Sequence, residues 1–225
     1  MLLDQFSIRR ADRRHFILLS VAAATAAIAA SRGTEASAAS APTILVVGDS
    51  LSAEYGLRRG SGWVALLEQK LAEQHVPAQV VNASISGETT SGGRSRLAAL
   101  LAKHRPGVVV IELGGNDALR GLPLSMTQDN LQAMVQSAQQ AGARVLLVGM
   151  QVPPNYGGAY TKAFSEVFGQ VAKTSHAALV PFLLKGVADS PDAPNLFQAD
   201  RIHPKEEAHP QMLANVWPEL RRLLR

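Results

Sequence analysis

Thr43-Ile44-Leu45-Val46-Val47-Gly48-Asp49-Ser50-Leu51-Ser52 is the stretch on which the fold turns. A β-branched apolar run closed by Gly and a polar triplet reads as a buried strand ending in a tight turn. A strand apolar on both faces belongs to a parallel sheet. Open α/β sheets do their chemistry at the carboxyl ends of the strands, so this turn delivers Ser50 to that edge. On these ten residues alone, Ser50 is equally well read as the N-cap of an ordinary strand-to-helix turn.

Outward from this strand, apolar runs alternate with amphipathic stretches. Further strands are predicted at Ala78–Asn82, Val108–Leu113 and Arg144–Met150, with a weaker fifth at Leu179–Pro181. Helices are predicted over Gly62–His75, Thr90–His104, Thr127–Ala141, Ala159–Ser175 and Lys205–Leu224. In the last of these, Ala208, Met212, Val216, Leu220 and Leu223 recur at helical spacing, and Pro210 and Pro218 are expected to kink or interrupt it. Strands separated by helices indicate an α/β protein with a parallel sheet covered on both faces. Five strands suit a flavodoxin-like three-layer α/β/α sandwich. Residues 39–225 read as a single domain, and Gly186 to Ala199 is an irregular stretch long enough for a functional loop.

Three later segments break the tie over Ser50. They are Val80-Val81-Asn82-Ala83-Ser84-Ile85-Ser86-Gly87-Glu88-Thr89, then Gly114-Gly115-Asn116-Asp117 after the third strand, then Asp200-Arg201-Ile202-His203-Pro204. With the first block they supply, in order, a Ser, a Gly, an Asn and an Asp-x-x-His pair. From about Thr43 to the C-terminus the chain resembles the SGNH (GDSL-type) hydrolases. More narrowly, it is similar to their bacterial periplasmic branch of multifunctional acyl-esterases, thioesterases and lysophospholipases. The resemblance also implies the flavodoxin-like sandwich, and no cofactor.

The residues themselves support that chemistry. A serine hydroxyl needs a base to become a nucleophile. His203 is the candidate, because a three-residue separation in a turn lets Asp200 bond one imidazole nitrogen while the other faces Ser50. The tetrahedral oxyanion needs preorganised donors about 3 Å away. Candidates are the N–H of Ser50, the N–H of Gly87, where a missing Cβ permits close approach and positive φ, and the side-chain amide of Asn116. Matching each to the family's blocks assigns all three to the oxyanion hole. Asp49 and Asp117 are expected to make supporting hydrogen bonds. His75, His104 and His176 read as solvated helix-end residues. Glu206-Glu207-Ala208-His209 contains half of a metal pair without a second half, so it reads as a polar helix face and no metal site is expected.

Gln151 to Tyr160 follows the fourth strand on the active edge. Pro153, Tyr156 and Tyr160 there are expected to line an acyl groove with Leu119, Leu122 and Phe197. Glu54 adds a charge near the first block, which leaves polar or cationic head groups open. The expected activity is hydrolysis of short- to medium-chain acyl esters and thioesters, with lysophospholipids as a further class. The alternatives are a carbohydrate O-deacetylase on the same fold and a non-catalytic module that binds a lipid or sugar.

Other classes find no support. The fifth position of the nucleophile block is Ser52, which departs from the Gly-x-Ser-x-Gly elbow, and neither a phosphate loop nor a Gly-x-Gly-x-x-Gly motif is present. The 225 residues are 47% hydrophobic and 18% charged, as in a globular domain. Of the net charge of +4, residues 1–38 carry five Arg against three acidic residues, which leaves 17 basic against 15 acidic. That mild balance gives no footprint for nucleic acid. Residues 1–38 read as an export signal: Arg9, Arg10, Arg13 and Arg14 precede an uncharged stretch from Phe16 to Ala30, and Ala36-Ser37-Ala38 offers a cleavage site. Arg13-Arg14 followed by Phe16 suits a twin-arginine signal as well as a general secretory one. The uncharged stretch is short and mostly Ala, so a lasting membrane anchor is not expected. Having no Cys excludes a disulfide framework and a thiol-lipidated anchor. The mature protein is expected in the periplasm or outside a bacterial cell.

Overall fold

A computed structural model describes residues 41–225; the export signal expected at residues 1–38 lies outside the described residues. Five strands form one parallel sheet: β1 Thr43–Gly48, β2 Gln79–Asn82, β3 Val108–Glu112, β4 Arg144–Val148 and β5 Ala178–Val180. Their spatial order is β2-β1-β3-β4-β5, the flavodoxin-like order. The central strands are the most apolar. Ile44 to Val47 and Val108 to Ile111 are fully buried, because helices cover both faces. β2 is an edge strand, and none of its four residues is fully buried, which reflects that position.

Seven helices surround the sheet among the described residues: α1 Trp63–Glu73, α2 Thr90–His104, α3 Gly115–Leu119, α4 Leu124–Gln140, α5 Gly158–Ser175, α6 Ala193–Leu196 and α7 His209–Leu223. α1 packs on α7, while α2, α4 and α5 pack side by side. Each presents an apolar stripe. On α7, Met212, Leu213, Val216, Trp217 and Leu220 are buried, each such side chain stabilising the fold by roughly 1.5–3 kcal/mol. α2 lies close to the sheet at Gly93, where a Cβ would come within 2.3 Å of the Leu113 side chain and 3.2 Å of Met134 Cε. Thr89 caps α2 by accepting from the Gly92 N–H at 3.3 Å. No helix among the described residues is long and apolar enough to cross a membrane.

Several expectations need correction. The terminal helix is uninterrupted at Pro218, and Pro210 lies in its first turn, where a missing N–H leaves no bond unmade. Residues 206–208 form a separate 3₁₀ turn before it. The stretch from Gly186 to Ala199 is not wholly irregular, since α6 forms within it. α3 was not anticipated at all.

In this strand order the chain reverses direction across the sheet between β1 and β3, so their carboxyl ends flank an open crevice. Gly48 ↔ Glu112 is the last paired position there. The Asp49–Ser52 turn and Gly114–Asp117 leave the sheet from those two adjoining ends.

Candidate active site

The Asp49–Ser52 turn is organised by Asp49, not by Ser50. Asp49 Oδ1 accepts from the Leu51 N–H at 3.0 Å, and its carbonyl accepts from Ser52 and Ala53. The capping part that Ser50 could have played therefore falls to its neighbour. No regular helix follows until Trp63. The Ser50 hydroxyl points elsewhere, with Oγ 2.9 Å from His203 Nε2.

Asp200 and His203 share one compact turn. Asp200 Oδ1 accepts from the backbone N–H of Ile202 at 3.0 Å and of His203 at 3.1 Å, the turn-forming habit of Asp. Its Oδ2 lies 2.7 Å from His203 Nδ1. With Nδ1–H donating to the carboxylate, Nε2 is left as an acceptor for the Ser50 O–H. Desolvation alone would raise the Asp200 pKa, but the hydrogen bonds from the His203 ring and from the two N–H groups outweigh it and hold it at about 2. Asp200 thus stays ionised as the partner of the ring.

This turn is tied down on both sides. Phe197 bridges to Pro204, and the Gln198 N–H donates to the His203 carbonyl at 2.8 Å. The Gln198 side-chain amide donates to the carbonyls of Tyr55 at 3.0 Å and Pro204 at 3.1 Å, which joins the nucleophile segment to the histidine turn. The Tyr55 ring lies against the His203 ring, with centroids 4.4 Å apart at 39°.

The candidate oxyanion donors converge on the same turn. The Asn116 amide donates to Asp49 Oδ2 at 3.0 Å. An amide carries two N–H groups, so this bond orients the side chain and leaves one donor over. Gly114 before it has φ 120° and a side chain there would meet Phe168 Cζ at 3.1 Å, so only glycine suits the position. Gly87 has φ 79°, and its carbonyl accepts from Arg120 Nη2 at 2.7 Å. Its turn is held to β1 by the Ile85 N–H donating to the Gly48 carbonyl at 3.0 Å. The N–H groups of Ser50 and Gly87 have no partner among the described residues.

Behind these groups lies a buried polar layer. Asp117 accepts from the N–H and the hydroxyl of Thr90 and from the Thr127 hydroxyl, fastening the start of α2 beside α3. Asp49 is pushed up to about 6 by burial, opposed by its bonds from Leu51 and Asn116. Glu112, fully buried at the end of β3, is raised well above the usual carboxylate range by desolvation and by the neighbouring Asp49. It accepts from the Ser52 hydroxyl at 2.7 Å, and Ser52 accepts in turn from the Trp63 indole N–H at 3.2 Å.

The residues expected to bind substrate are more dispersed. Leu119 and Tyr156 are exposed, Pro153 is exposed, and Leu122, Tyr160 and Phe197 are half-buried. Tyr156, Tyr160, Phe164 and Phe168 form a run of neighbouring rings with successive centroids 6.3, 6.4 and 5.3 Å apart, ending beneath Gly114. The Tyr160 hydroxyl is buried without a partner. Phe197 lies instead on the segment leading into the Asp200–His203 turn.

Two further expectations are overturned. Glu54 does not present its charge to the crevice, because its carboxylate accepts from the N–H groups of Gly60 and Gly62 and folds its own loop. His209 is not on a polar face. It is buried, and its Nδ1 accepts from the Trp63 N–H at 3.0 Å, capping α1 from the far end of the chain. Sequence reasoning also passed over Glu112, Tyr55 and Gln198. A lone carboxylate closing the run Val108 to Leu113 was the one available signal. Tyr55 and Gln198 matter only through contacts across the fold.

Residues 46–210 match the GDSL-like lipase/acylhydrolase family model. The chain is 54% identical over 186 residues to the esterase TesA of Pseudomonas aeruginosa, covering 83% of this chain and 91% of that protein. It is 42% identical over 173 residues to thioesterase 1/protease 1/lysophospholipase L1 of Escherichia coli K12, covering 77% and 80%. A crystal structure of TesA matches with a TM-score of 0.78 over 80% of this chain and 99% of that one. Four ordered sequence blocks meeting at one sheet edge, a family match across most of the chain and a shared five-stranded fold agree: the chain belongs to the GDSL-like lipase/acylhydrolase family.

Proposed function

We propose that this protein is a serine hydrolase of acyl esters and thioesters. Ser50 is the nucleophile, His203 the general base, and Asp200 the group that orients and charge-stabilises the imidazole. The observation that carries the reading is the unbroken chain Asp200 Oδ2–His203 Nδ1, 2.7 Å, and His203 Nε2–Ser50 Oγ, 2.9 Å. Both lengths are hydrogen-bond distances suited to proton transfer.

In this scheme Ser50 Oγ attacks the substrate carbonyl while its proton passes to His203 Nε2. The carbonyl oxygen gathers negative charge, and the N–H groups of Ser50 and Gly87 and the free amide N–H of Asn116 hold it. The imidazolium then gives the proton to the departing alcohol or thiol, leaving an acyl-Ser50 ester. Water repeats the sequence: it loses a proton to His203, attacks the acyl carbon, and releases the acid while Ser50 regains its hydrogen. All proton movements run through one ring, and the scheme calls for no cofactor or metal.

The relatives carry the names esterase and thioesterase/lysophospholipase, which supports acyl chains longer than acetyl. The run of rings from Tyr156 to Phe168, with Pro153 just before it and Leu119 and Leu122 after the Asn116 segment, suits an acyl groove. Residues 1–38 suit export to the periplasm or beyond, checked by the mass of the exported protein, which lacks them if the signal is cleaved after Ala38.

The test is initial rates on p-nitrophenyl esters from acetyl to palmitoyl, with Ser50→Ala in parallel. Activity that survives in Ser50→Ala removes the nucleophile assignment. A sharp preference for acetyl over every longer chain favours a carbohydrate O-deacetylase, and an inert wild type favours a binding module. Gly157→Val on the same panel reads the groove; an unchanged chain-length profile there excludes that loop.

A further inference from the structure

The acyl-transfer scheme makes no use of Glu112, yet Glu112 is the most completely buried carboxylate beneath the nucleophile turn. Its Oε2 accepts from the Ser52 hydroxyl and, at 3.4 Å, from the Asp49 N–H. Its Oε1 is buried with no partner at all. Gly48 makes room for it, since a side chain there would stand 2.9 Å from Glu112 Oε2. The titratable group beside it is Asp49 on the β1 turn, and Asp117 on α3 and His203 lie beyond, acting on Asp49. Among the described residues no cation is paired with either Asp49 or Glu112.

Two negative charges cannot share that space. A fully buried carboxylate whose donors, one hydroxyl and one long N–H contact, all fall on a single oxygen lacks the hydrogen bonds that would stabilise its ionised form, and a like charge beside it adds to the cost. One proton must therefore be held by the pair. Its position follows from the bonds. Both oxygens of Asp49 accept from N–H donors, Leu51 on Oδ1 and the Asn116 amide on Oδ2, and such donors favour the ionised form. Glu112 Oε1 meets no donor that would stabilise a negative charge there, so the proton belongs on Glu112 rather than on Asp49.

We propose that Glu112 is the neutral, protonated member of the Asp49–Glu112 pair and acts as a positioning residue for Asn116. By staying neutral it leaves Asp49 with a single negative charge. That charge selects the orientation of Asn116 in which the amide nitrogen, rather than its oxygen, faces the turn. The amide nitrogen is the donor the oxyanion requires. Ionisation of Glu112 at alkaline pH would place a second negative charge behind the oxyanion and oppose it. The inference rests on the role proposed for Asn116.

The experiment has an arm that does not depend on activity. Protein labelled with ¹³C at the glutamate side-chain carboxyl is followed by NMR through a pH titration. One signal stays at the protonated position at pH 7 and is missing from Glu112→Gln. In the kinetic arm, Glu112→Gln, neutral and nearly isosteric, keeps kcat within about threefold of wild type at pH 7 and loses the alkaline fall in kcat. Glu112→Ala loses on the order of 10²-fold in kcat with little change in KM, comparable to loss of an oxyanion donor. If every glutamate is ionised at pH 7, or if Glu112→Gln is as damaged as Glu112→Ala and keeps the alkaline fall, the proposal is overturned. Should Glu112→Ala not fold, the NMR signal and Glu112→Gln still decide. A Ser50→Ala enzyme that retained activity would overturn the acyl-transfer reading instead and leave the NMR result standing.

Discussion

Replacing Asp200 with Asn separates two contributions that the carboxylate makes to His203. Asn keeps a carbonyl oxygen able to accept from the N–H groups of Ile202 and His203, so the turn survives. What changes is the atom facing His203 Nδ1, now 2.7 Å from a carboxylate oxygen. An amide N–H there is a donor, and Nδ1 can only accept from it. The ring proton moves to Nε2, which then points a hydrogen at Ser50 Oγ and cannot take the serine's proton. The lost charge is the smaller effect, because the Asp200 side chain is 38% exposed and solvent screens it. The tautomer change is not screened. We expect kcat to fall by about 10³–10⁴, or about 4–5.5 kcal/mol of barrier, with KM changed little. The assay is steady-state hydrolysis of p-nitrophenyl butyrate at pH 7.5, with circular dichroism to verify the fold. A variant that keeps more than a tenth of wild-type kcat, or that loses activity through KM, would refute the tautomer argument.

Two further outcomes concern stability. His209 is held neutral in the fold, because desolvation lowers its pKa below the ordinary 6.5 and its Nδ1 must accept from Trp63. A lowered histidine pKa means the unfolded chain binds the proton first, so stability is lost as pH falls below 6.5. The Tm of wild type relative to His209→Asn should therefore drop between pH 7.5 and 5; a constant difference across that range excludes it. Gly93→Ala forces a methyl against Leu113 and Met134 in a filled interior, and thermal melts should show a loss of about 1–3 kcal/mol. A variant as stable as wild type would mean that α2 shifts freely off the sheet.

Much of this architecture is legible in the sequence where the signal is local. β1, β3 and β4 were placed to within two residues at each end because continuous apolar runs flanked by Gly and polar residues have few other readings. The bounds of α2 match at both ends, where Thr89 opens the helix and Lys103-His104 close it. Asp200 and His203 were readable for the same reason, as a pair three residues apart can meet without help from the rest of the chain. The misses are contacts between distant segments. Nothing near His209 announces that it caps α1, a helix 146 positions earlier. α3 escaped because five residues opening on a glycine show no periodicity. Glu54 was misread because a charge beside a nucleophile looks functional until its loop is seen to consume it.

The turn that holds Asp200 and His203 has a consequence for how such an enzyme can fail and vary. Acid and base are prealigned by bonds within four consecutive residues, so their mutual geometry is independent of the sheet. Within the Asp200–His203–Ser50 relay, only the alignment of His203 with Ser50 joins distant segments, and the Gln198 side chain braces it by donating to a carbonyl on each side. Changes in the sheet reach this relay only through that one spacing. Conversely, a slight lift of the segment 196–205 idles the enzyme while every strand stays in register.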